Sequence, residues 1–223
     1  MIKTVLFDMN ETLLNLNVLK KSFDTYFEDQ YIVQYWFAKL LHSSTVIGGM
    51  EEYTDFGKLS EAALESVFLE SGKELTDEIK TDILGSFRKL PAYEDVSEAL
   101  QLLRDNDIKV IAVTNSSYEM VKEQLTHSGL IDLFDSYYSV EAVRKYKPFK
   151  EIYHYVMDQE NIKADETIMV ATHDWDLFGA KKVGLVTAYI KRKEDQYNPY
   201  CLKPDLSDSN LIDLAKQIIN SKL

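Results

Sequence analysis

The sequence predicts an α/β fold in which helices cover both faces of a doubly wound parallel sheet. Four short apolar runs have the length of buried strands, and amphipathic stretches of helical length alternate with them. Three of these runs end abruptly at polar residues, and ligands of such sheets bind beyond the carboxyl ends of the strands. The chain has 223 residues, 45% of them hydrophobic, which is enough for one or two domains with a substantial core. These features indicate a Rossmann-like core with a ligand site at one edge of its sheet.

The predicted strands are the four apolar runs themselves. The first is residues 5–7, Val-Leu-Phe, which ends at Asp8. The second and third span 109–113 and 167–171 and lead into Thr114 and Thr172, and the fourth, 185–190, closes the set. The core helices are predicted over 96–106, 118–128, 150–160 and 175–183. Because strand and helix alternate, the strands are expected to be parallel.

The stretch from residue 15 to residue 90 has no comparable apolar run, and its pattern is that of several helices rich in aromatic residues. We predict helices over 18–41, 56–70 and 77–87, and Ser60 and Thr76 resemble capping residues at helix starts. A helical insertion after the first strand suggests a cap over the site. We therefore expect a helical cap over 15–90 and an α/β catalytic core formed by 1–14 and 91–223.

Composition and charge exclude several classes of function. Lys and Arg number 25 against 37 Asp and Glu, a net charge of −12, which disfavours nucleic acid and anionic membrane surfaces as partners. The single cysteine, Cys201, can form neither an internal disulfide nor a cysteine-based metal site. No apolar run approaches the roughly 18 residues of a membrane helix, and the N-terminus lacks a signal-peptide pattern. We expect a cytoplasmic protein that acts on a small molecule.

Asp8 is the strongest candidate for a catalytic residue. A buried strand would present its carboxylate rigidly, and a carboxylate held in this way can act as a nucleophile. The alternative is that Asp8 only caps or pins the loop that follows. A short motif by itself leaves both interpretations open.

Four segments in order carry a resemblance to the haloacid dehalogenase superfamily. Residues 8–13, Asp-Met-Asn-Glu-Thr-Leu, resemble its first motif, which is Asp-x-Asp-Gly-Thr-Leu in the phosphatases. Thr114-Asn115 resembles the second motif, Lys147 the third and Asp176 the fourth. The resemblance spans the whole chain, and the superfamily places a helical cap where this sequence has its helical insertion.

Two acidic residues of the superfamily's phosphatases are missing here. The acid that protonates the leaving group is replaced by Asn10, and an acidic magnesium ligand is replaced by Thr172. Mg²⁺ prefers charged oxygen ligands, so we expect no metal and no cofactor. Asp174 could supply an oxygen from a shifted position. A Mg²⁺-dependent phosphatase acting on a small phosphomonoester therefore remains the alternative.

The paired loss fits a reaction that needs neither metal nor acid, and the type II 2-haloacid dehalogenases are the branch that this sequence resembles most. In that branch an aspartate displaces halide from carbon, and the halide ion leaves without needing a proton. The tyrosine that follows the motif-three lysine corresponds to Tyr153, and the motif-four Asn-x-Trp-Asp corresponds to residues 173–176, His-Asp-Trp-Asp. The resemblance thus implies hydrolytic dehalogenation of a short 2-haloalkanoic acid through an aspartyl ester.

The resemblance also assigns roles to individual residues. Asp8 would be the nucleophile, Lys147 would hold it ionised, and Asp176 would orient Lys147. Thr12 and Asn115 would orient the carboxylate and bind the oxyanion. His173 would orient water or act as base, and its alternative is a hydrogen-bonded structural residue. The implied catalytic residues are Asp8, Thr12, Thr114, Asn115, Lys147 and Asp176, and the implied substrate-binding residues are Asn10, Tyr153, His173 and Trp175.

One departure concerns a cation in the cap. The family carries an arginine early in the cap that binds halide and substrate, whereas residues 22–38 contain no lysine or arginine. Lys20, Lys21 or Lys39 could substitute for it. The aromatic side chains between Tyr31 and Phe37 would form either cap packing or an alkyl pocket. Aromatic cap helices could also support a homodimer, and a binding protein without turnover is a third reading of the chain.

Overall fold

The parallel sheet predicted from the sequence is confirmed by a computed structural model, which describes residues 1–221 and 223. Within these residues the sheet has six strands, all parallel, in the order β3-β2-β1-β4-β5-β6. The strands are β1 (Thr4–Phe7), β2 (Lys109–Thr114), β3 (Ser136–Ser139), β4 (Thr167–Ala171), β5 (Val186–Ile190) and β6 (Leu206–Asp208). Strand β1 lies between β2 and β4, where the strand order reverses. A ligand site is expected at the carboxyl end of β1 for this reason.

Four helices follow β1 and the others accompany the later strands. The first group is α1 (Lys20–Phe23), α2 (Ile32–Gly49), α3 (Phe56–Glu70) and α4 (Asp77–Arg88). The second group is α5 (Val96–Arg104), α6 (Tyr118–His127), α7 (Lys150–Glu160), α8 (Asp174–Lys182) and α9 (Leu211–Asn220). Helix α5 illustrates their packing, because it buries Val96, Ala99, Leu100 and Leu103 at helical spacing. The division into a cap over 15–90 and a core stays a prediction, and residue 222 of the predicted core lies outside the described residues.

The predicted helix over 18–41 is wrong in its first half. Before Asp24 only a 3-10 turn (Leu16–Leu19) and the single turn of α1 form, and the long helix α2 begins at Ile32. The side chain of Asp29 accepts a hydrogen bond from the backbone N of Tyr31 at 2.8 Å, which closes a turn immediately before α2. Local side-chain bonding therefore competes with the helix in this stretch.

Of the two predicted caps, one is confirmed and one is wrong. Thr76 accepts a hydrogen bond from the backbone N of Ile79 and caps α4. Helix α3 begins at Phe56, four residues before Ser60, because Asp55 caps it through the backbone N of Lys58. The hydroxyl of Ser60 donates to a carbonyl inside the helix, that of Gly57.

The fourth strand was expected to close the set, and this is also wrong. Strands β3 and β6, together with helix α9, were missed. Both strands lie at the edges of the sheet, where a strand has one neighbour, and β6 has only three residues. Neither contains an apolar run, since β3 reads Ser-Tyr-Tyr-Ser and β6 reads Leu-Ser-Asp. Because an edge strand is less buried than a central strand, its sequence does not have to be continuously apolar.

The aromatic residues of α2 divide between packing and the site. Trp36 is fully buried, and its indole nitrogen donates to the carbonyl of Ser60 at 3.0 Å. Phe37 is also buried, and its ring centroid lies 6.3 Å from that of His173. Tyr31 and Tyr35 are largely exposed.

No helix in the described part of the chain is long and apolar enough to cross a membrane.

Candidate active site

The site is built around Asp8, the first residue after β1. Its backbone N continues the sheet by donating to the carbonyl of Val170 on β4 at 3.1 Å. The residue is only 5% exposed. Because β2 and β4 flank β1, the polar residues that follow these strands, Asn115 and His173, reach the same edge. The structure thus brings together the polar clusters that the sequence placed after separate strands.

Lys147 links Asp8 to Asp176. Its Nζ donates to Asp8 Oδ1 at 2.6 Å, to Asp176 Oδ2 at 2.7 Å and to the carbonyl of Val113 at 2.9 Å. Lys147 is 1% exposed, so it is not a solvated surface lysine. All three protons of its ammonium group are used, which fixes its position between the two carboxylates.

A glycine allows α8 to approach the segment that carries Lys147. A Cβ atom at Gly179 would lie 2.4 Å from the carbonyl oxygen of Pro148. Helix α8 therefore packs directly on the 147–148 segment, and this contact brings Asp176 within reach of Lys147. Glycine at position 179 is needed here for the close approach.

Burial and neighbouring charges shift the pKa values of the buried ionisable groups. Burial raises the pKa of Asp8, but the charge of Lys147 and the hydrogen bond from His173 outweigh it and hold the pKa well below its usual range. Burial lowers the pKa of Lys147, and the charges of Asp176 and Asp8 more than reverse this. Burial raises the pKa of Asp176 despite the opposing charge of Lys147. Of the two carboxyl groups beside Lys147, Asp8 is therefore the one that ionises more readily.

The second oxygen of Asp8 is held from two sides. Thr12 Oγ1 donates to Asp8 Oδ2 at 2.7 Å and accepts from the backbone N of Thr172 at 3.0 Å. His173 Nδ1 lies 3.0 Å from the same Oδ2 atom. Burial lowers the pKa of His173, but its hydrogen bonds to Asp8 and Glu11 raise it to about 9. His173 is thus an imidazolium at neutral pH, and Asp8 has a cation at each oxygen.

Glu11 is a site residue that sequence reasoning missed. Its Oε2 lies 2.9 Å from His173 Nε2, on the side of the ring opposite to Asp8. Burial raises the pKa of Glu11, but its hydrogen bond to His173 outweighs this and lowers it. Its backbone has φ of +63°, a region that favours glycine. The available signal was the departure from the motif, because Glu11 stands where the resemblance expects glycine.

The residues after β2 support the site more than they line it. Asn115 Oδ1 accepts from the backbone N of Lys147 at 2.8 Å, which holds the lysine segment against the end of β2. Thr114 Oγ1 accepts from the backbone N of Ser116 at 3.1 Å, so its hydroxyl closes a turn. The side chain of Asn10 donates to Ser116 Oγ and accepts from Gln124 Nε2, both at 3.1 Å. Asn10 and Thr114 are therefore fixed in the surrounding framework.

A cavity of about 210 Å³ opens beside His173. The residues that form its walls include Glu11, Phe37, Thr172, His173, Trp175 and Lys193. The Trp175 ring stacks on that of His173, with centroids 5.0 Å apart. Tyr153, by contrast, is fully buried behind the site and donates its hydroxyl proton to Asp176. Of the implied substrate-binding residues, His173 and Trp175 line the cavity, whereas Tyr153 and Asn10 do not.

The donor set of the site does not suit Mg²⁺. Both oxygens of Asp8 are already paired, with Lys147 on one side and with Thr12 and His173 on the other. Asp174 Oδ2 accepts from the backbone N of Asn198 at 3.0 Å, and the carboxylate is held by that loop. A hard dication needs several free oxygen ligands. The shifted oxygen expected from Asp174 is therefore not supported.

Comparisons with known proteins agree with this geometry. A sequence model described as haloacid dehalogenase-like hydrolase matches residues 5–190. The chain is 27% identical over 194 residues to (S)-2-haloacid dehalogenase 4A of Burkholderia cepacia, covering 86% of this chain and 84% of that protein. It is 28% identical over 194 residues to (S)-2-haloacid dehalogenase of Xanthobacter autotrophicus, covering 86% and 76%.

A solved structure shares the fold along almost the full length. It is L-2-haloacid dehalogenase from Xanthobacter autotrophicus with chloropropionic acid covalently bound, with a TM-score of 0.92, 24% identity and 99% of each chain covered. The family match extends from β1 through β5 and includes Asp8, Lys147 and Asp176. The chain therefore belongs to the haloacid dehalogenase-like hydrolases.

Proposed function

We propose that this protein hydrolyses short 2-haloalkanoic acids to 2-hydroxy acids through an ester formed on Asp8. The observation that carries the proposal is a buried, ionised Asp8 that has a cation at each oxygen, together with an amide, Asn10, where the phosphatases carry their acid. The two relatives compared above are named (S)-2-haloacid dehalogenases. One structure with the same fold holds chloropropionic acid covalently.

The first stage is displacement at carbon. An oxygen of Asp8 attacks C2 of the substrate, and the electron pair of the carbon–halogen bond leaves with halide. Lys147 supports this stage because its charge keeps Asp8 deprotonated. Asp176 and the carbonyl of Val113 hold the lysine in place. The role of Lys147 is thus to keep Asp8 deprotonated for the attack.

The nature of position 10 favours dehalogenation over hydrolysis of a phosphate ester. An alkoxide leaving from a phosphate ester needs a proton, whereas a halide ion does not. Asn10 has no acidic proton, and its amide is occupied by Ser116 and Gln124. The reaction that this site suits best is therefore one with a leaving group that needs no acid.

The second stage is hydrolysis of the ester. Water attacks the carboxyl carbon of Asp8, and the oxyanion that develops needs hydrogen-bond donors. Thr12 donates to the carboxylate of Asp8, and we propose that this bond persists in the ester. The side-chain amide nitrogen of Asn115 makes no hydrogen bond within residues 1–221 and 223, which leaves it available to the substrate.

Substrate recognition has to do without the arginine expected in the cap. Phe37 offers the cavity an apolar wall that suits an alkyl group. Lys39 is engaged by Glu70 at 2.8 Å, so it is a poor substitute for the arginine. Lys193 lines the cavity with a half-exposed side chain, and we propose that it binds the carboxylate of the substrate.

Halide release from 2-chloropropionate tests the proposal. Wild type is expected to release halide with and without a metal chelator, and Asp8→Asn is expected to release none. An absence of halide from wild type across short haloacids would refute the substrate assignment. Phosphate release from phosphomonoesters that a chelator abolishes would instead support a Mg²⁺-dependent phosphatase, and a tightly held small molecule without turnover would support a binding protein.

Four finer expectations remain proposals. We propose that the reaction needs no cofactor, that the protein works in the cytoplasm and that residues 15–90 act as a cap. A homodimer through aromatic cap side chains is a fourth. Tyr31 and Tyr35 are exposed and available for such a contact. The molar mass in solution, measured by light scattering, tests the dimer.

A further inference from the structure

We propose that Glu11 and His173 form a carboxylate–imidazole pair that acts in the second stage, with His173 as the base for the hydrolytic water and Glu11 as its positioning residue. This inference rests on the proposed function, because it assigns a base to the hydrolysis of the Asp8 ester. It goes beyond that function by adding a residue that the motif does not contain.

The geometry places one ring between two carboxylates. His173 Nδ1 lies 3.0 Å from Asp8 Oδ2 and Nε2 lies 2.9 Å from Glu11 Oε2. The His173 side chain is 8% exposed and that of Glu11 is 16% exposed, and both line the cavity. Stacking on Trp175 fixes the plane of the ring. His173 therefore stands between the cavity and Asp8, with the Nδ1 edge of its ring against the carboxylate.

The backbone at position 11 supports a specific need for this side chain. Glu11 has φ of +63°, which is strained for every residue except glycine and, to a lesser degree, asparagine and aspartate. Glycine would relieve the strain but would leave His173 Nε2 without its carboxylate. The strain is thus borne by the residue that orients the ring.

The charges around His173 explain why it would act late. The charged groups that face it or line its cavity are Asp8, Glu11, Lys193, Asp174, Asp195 and, behind Asp8, Lys147. Burial lowers the pKa of His173, and the bonds to Asp8 and Glu11 raise it to about 9. Burial also raises the pKa values of Tyr189 and Tyr197 on the cavity wall, so these tyrosines stay neutral. Once Asp8 becomes a neutral ester, one of the two anions that stabilise the imidazolium is gone.

Hydrolysis of the Asp8 ester consumes one water and regenerates both Asp8 and His173. After halide leaves, His173 gives its proton to solvent. Water then attacks the ester carbon of Asp8 while Nδ1 accepts a proton from that water. The bond between this carbon and the substrate oxygen breaks, the alkoxide takes the remaining proton of the added hydroxyl, and the 2-hydroxy acid departs. Asp8 is again a carboxylate, and His173 is again an imidazolium between two anions.

The first test measures protonation and does not depend on turnover. The chain has four histidines, and NMR titration with ring-labelled histidine follows each one, with His173→Asn identifying the signal of interest. Asp8→Asn mimics the neutral ester and is expected to lower the pKa of His173 by at least about one unit. Glu11→Gln is expected to lower it as well. An unchanged titration of His173 in Asp8→Asn would overturn the proposed timing.

The second test separates the two stages. Glu11→Gln is expected to release one equivalent of halide in a rapid burst, as wild type does, and then to turn over about 10- to 100-fold more slowly. The ester should accumulate on Asp8, where intact mass detects it. Glu51→Gln is the matched control, because Glu51 also has φ of +63° but is exposed. It should behave as wild type.

Three results count against the inference. If Glu11→Gln slows the burst as much as the turnover, Glu11 has only a structural role. If it turns over like wild type, the pair is not needed. If wild type releases no halide at all, the proposed function fails and the base role with it. Adding Glu11→Gln to His173→Asn should cause no further slowing, since Glu11 acts through the ring.

Discussion

Replacing Lys147 by methionine should cost this protein more stability than almost any other single change at the site. The ammonium group is 1% exposed and neutralises two buried carboxylates, Asp8 at 2.6 Å and Asp176 at 2.7 Å. Methionine fills a similar volume without the charge. Two carboxylates, 7% and 0% exposed, would then share a site with no lysine. The change therefore isolates the electrostatic contribution of the lysine.

The expected loss is about 3–5 kcal/mol at neutral pH, the range measured when one partner of a buried ion pair is removed. Domains of this kind unfold with about 5–15 kcal/mol, so the variant would be only marginally stable. His173 still faces Asp8 and would limit the loss at that residue. Among residues 1–221 and 223, Asp176 has no second cation, because its other side-chain partner is the neutral hydroxyl of Tyr153. We expect most of the penalty at Asp176 for this reason.

The pH dependence of the stability should also change. In wild type the pKa of Asp8 is lowered on folding, so its contribution is present above the unfolded value of about 3.9 and lost as the pH falls below it. The pKa of Asp176 is already raised in wild type, and without Lys147 burial raises it further. A carboxyl whose pKa is raised on folding stabilises at low pH and loses that contribution as the pH rises. Lys147→Met should therefore lose more stability than wild type as the pH rises above about 4.

Urea unfolding at several pH values measures both quantities. The matched control is Lys150→Met, an exposed lysine three residues away, which should change stability by less than about 0.5 kcal/mol. Asp176→Asn in the Lys147→Met background should restore stability, because it removes the unpaired charge. A loss below about 1 kcal/mol for Lys147→Met, with the pH slope of wild type, would refute the reasoning.

Two further predictions concern packing and recognition. Gly179→Ala should lower stability by about 1–3 kcal/mol and reduce kcat, because its Cβ would lie 2.4 Å from the carbonyl oxygen of Pro148. Gly85→Ala is the control and should stabilise the protein slightly, because a Cβ at that position meets nothing within 4 Å. Equal unfolding midpoints for the two variants would contradict this account. Lys193→Met should raise the KM for 2-chloropropionate about tenfold with little change in kcat, whereas Lys191→Met, outside the cavity, should leave KM unchanged. If the KM of Lys193→Met equals that of wild type, Lys193 does not bind the substrate carboxylate.

The central strands could be predicted because burial on both faces constrains their composition. Strands β1, β2 and β4 are apolar runs between polar ends, and the structure places them within one residue of prediction. The edge strands β3 and β6 lack that constraint and were missed. The start of α2 was also missed, because a side-chain turn at Asp29 interrupts a stretch with helical spacing. Local competition of this kind is weakly encoded in periodicity.

Most members of the site and the pairing of Lys147 with Asp8 and Asp176 could be predicted, but the other partners could not. Asp8, Lys147 and Asp176 were recognised from motifs, and they meet within hydrogen-bond distance. Asn10 and Tyr153 were expected to contact substrate, and the structure instead commits them to Ser116 and to Asp176. Spacing along a chain does not tell which way a side chain turns once its neighbours are packed.

The sequence by itself determined the parallel α/β architecture, the candidate nucleophile and the absence of an acid at positions 10 and 172, since these depend on residue type and on order along the chain. Only the tertiary structure decided that Glu11 meets His173, across 162 positions of sequence, and that Phe37 rather than a cation faces the ring. The reason is physical: the protonation of His173 depends on charges and burial that distant segments supply when they fold together.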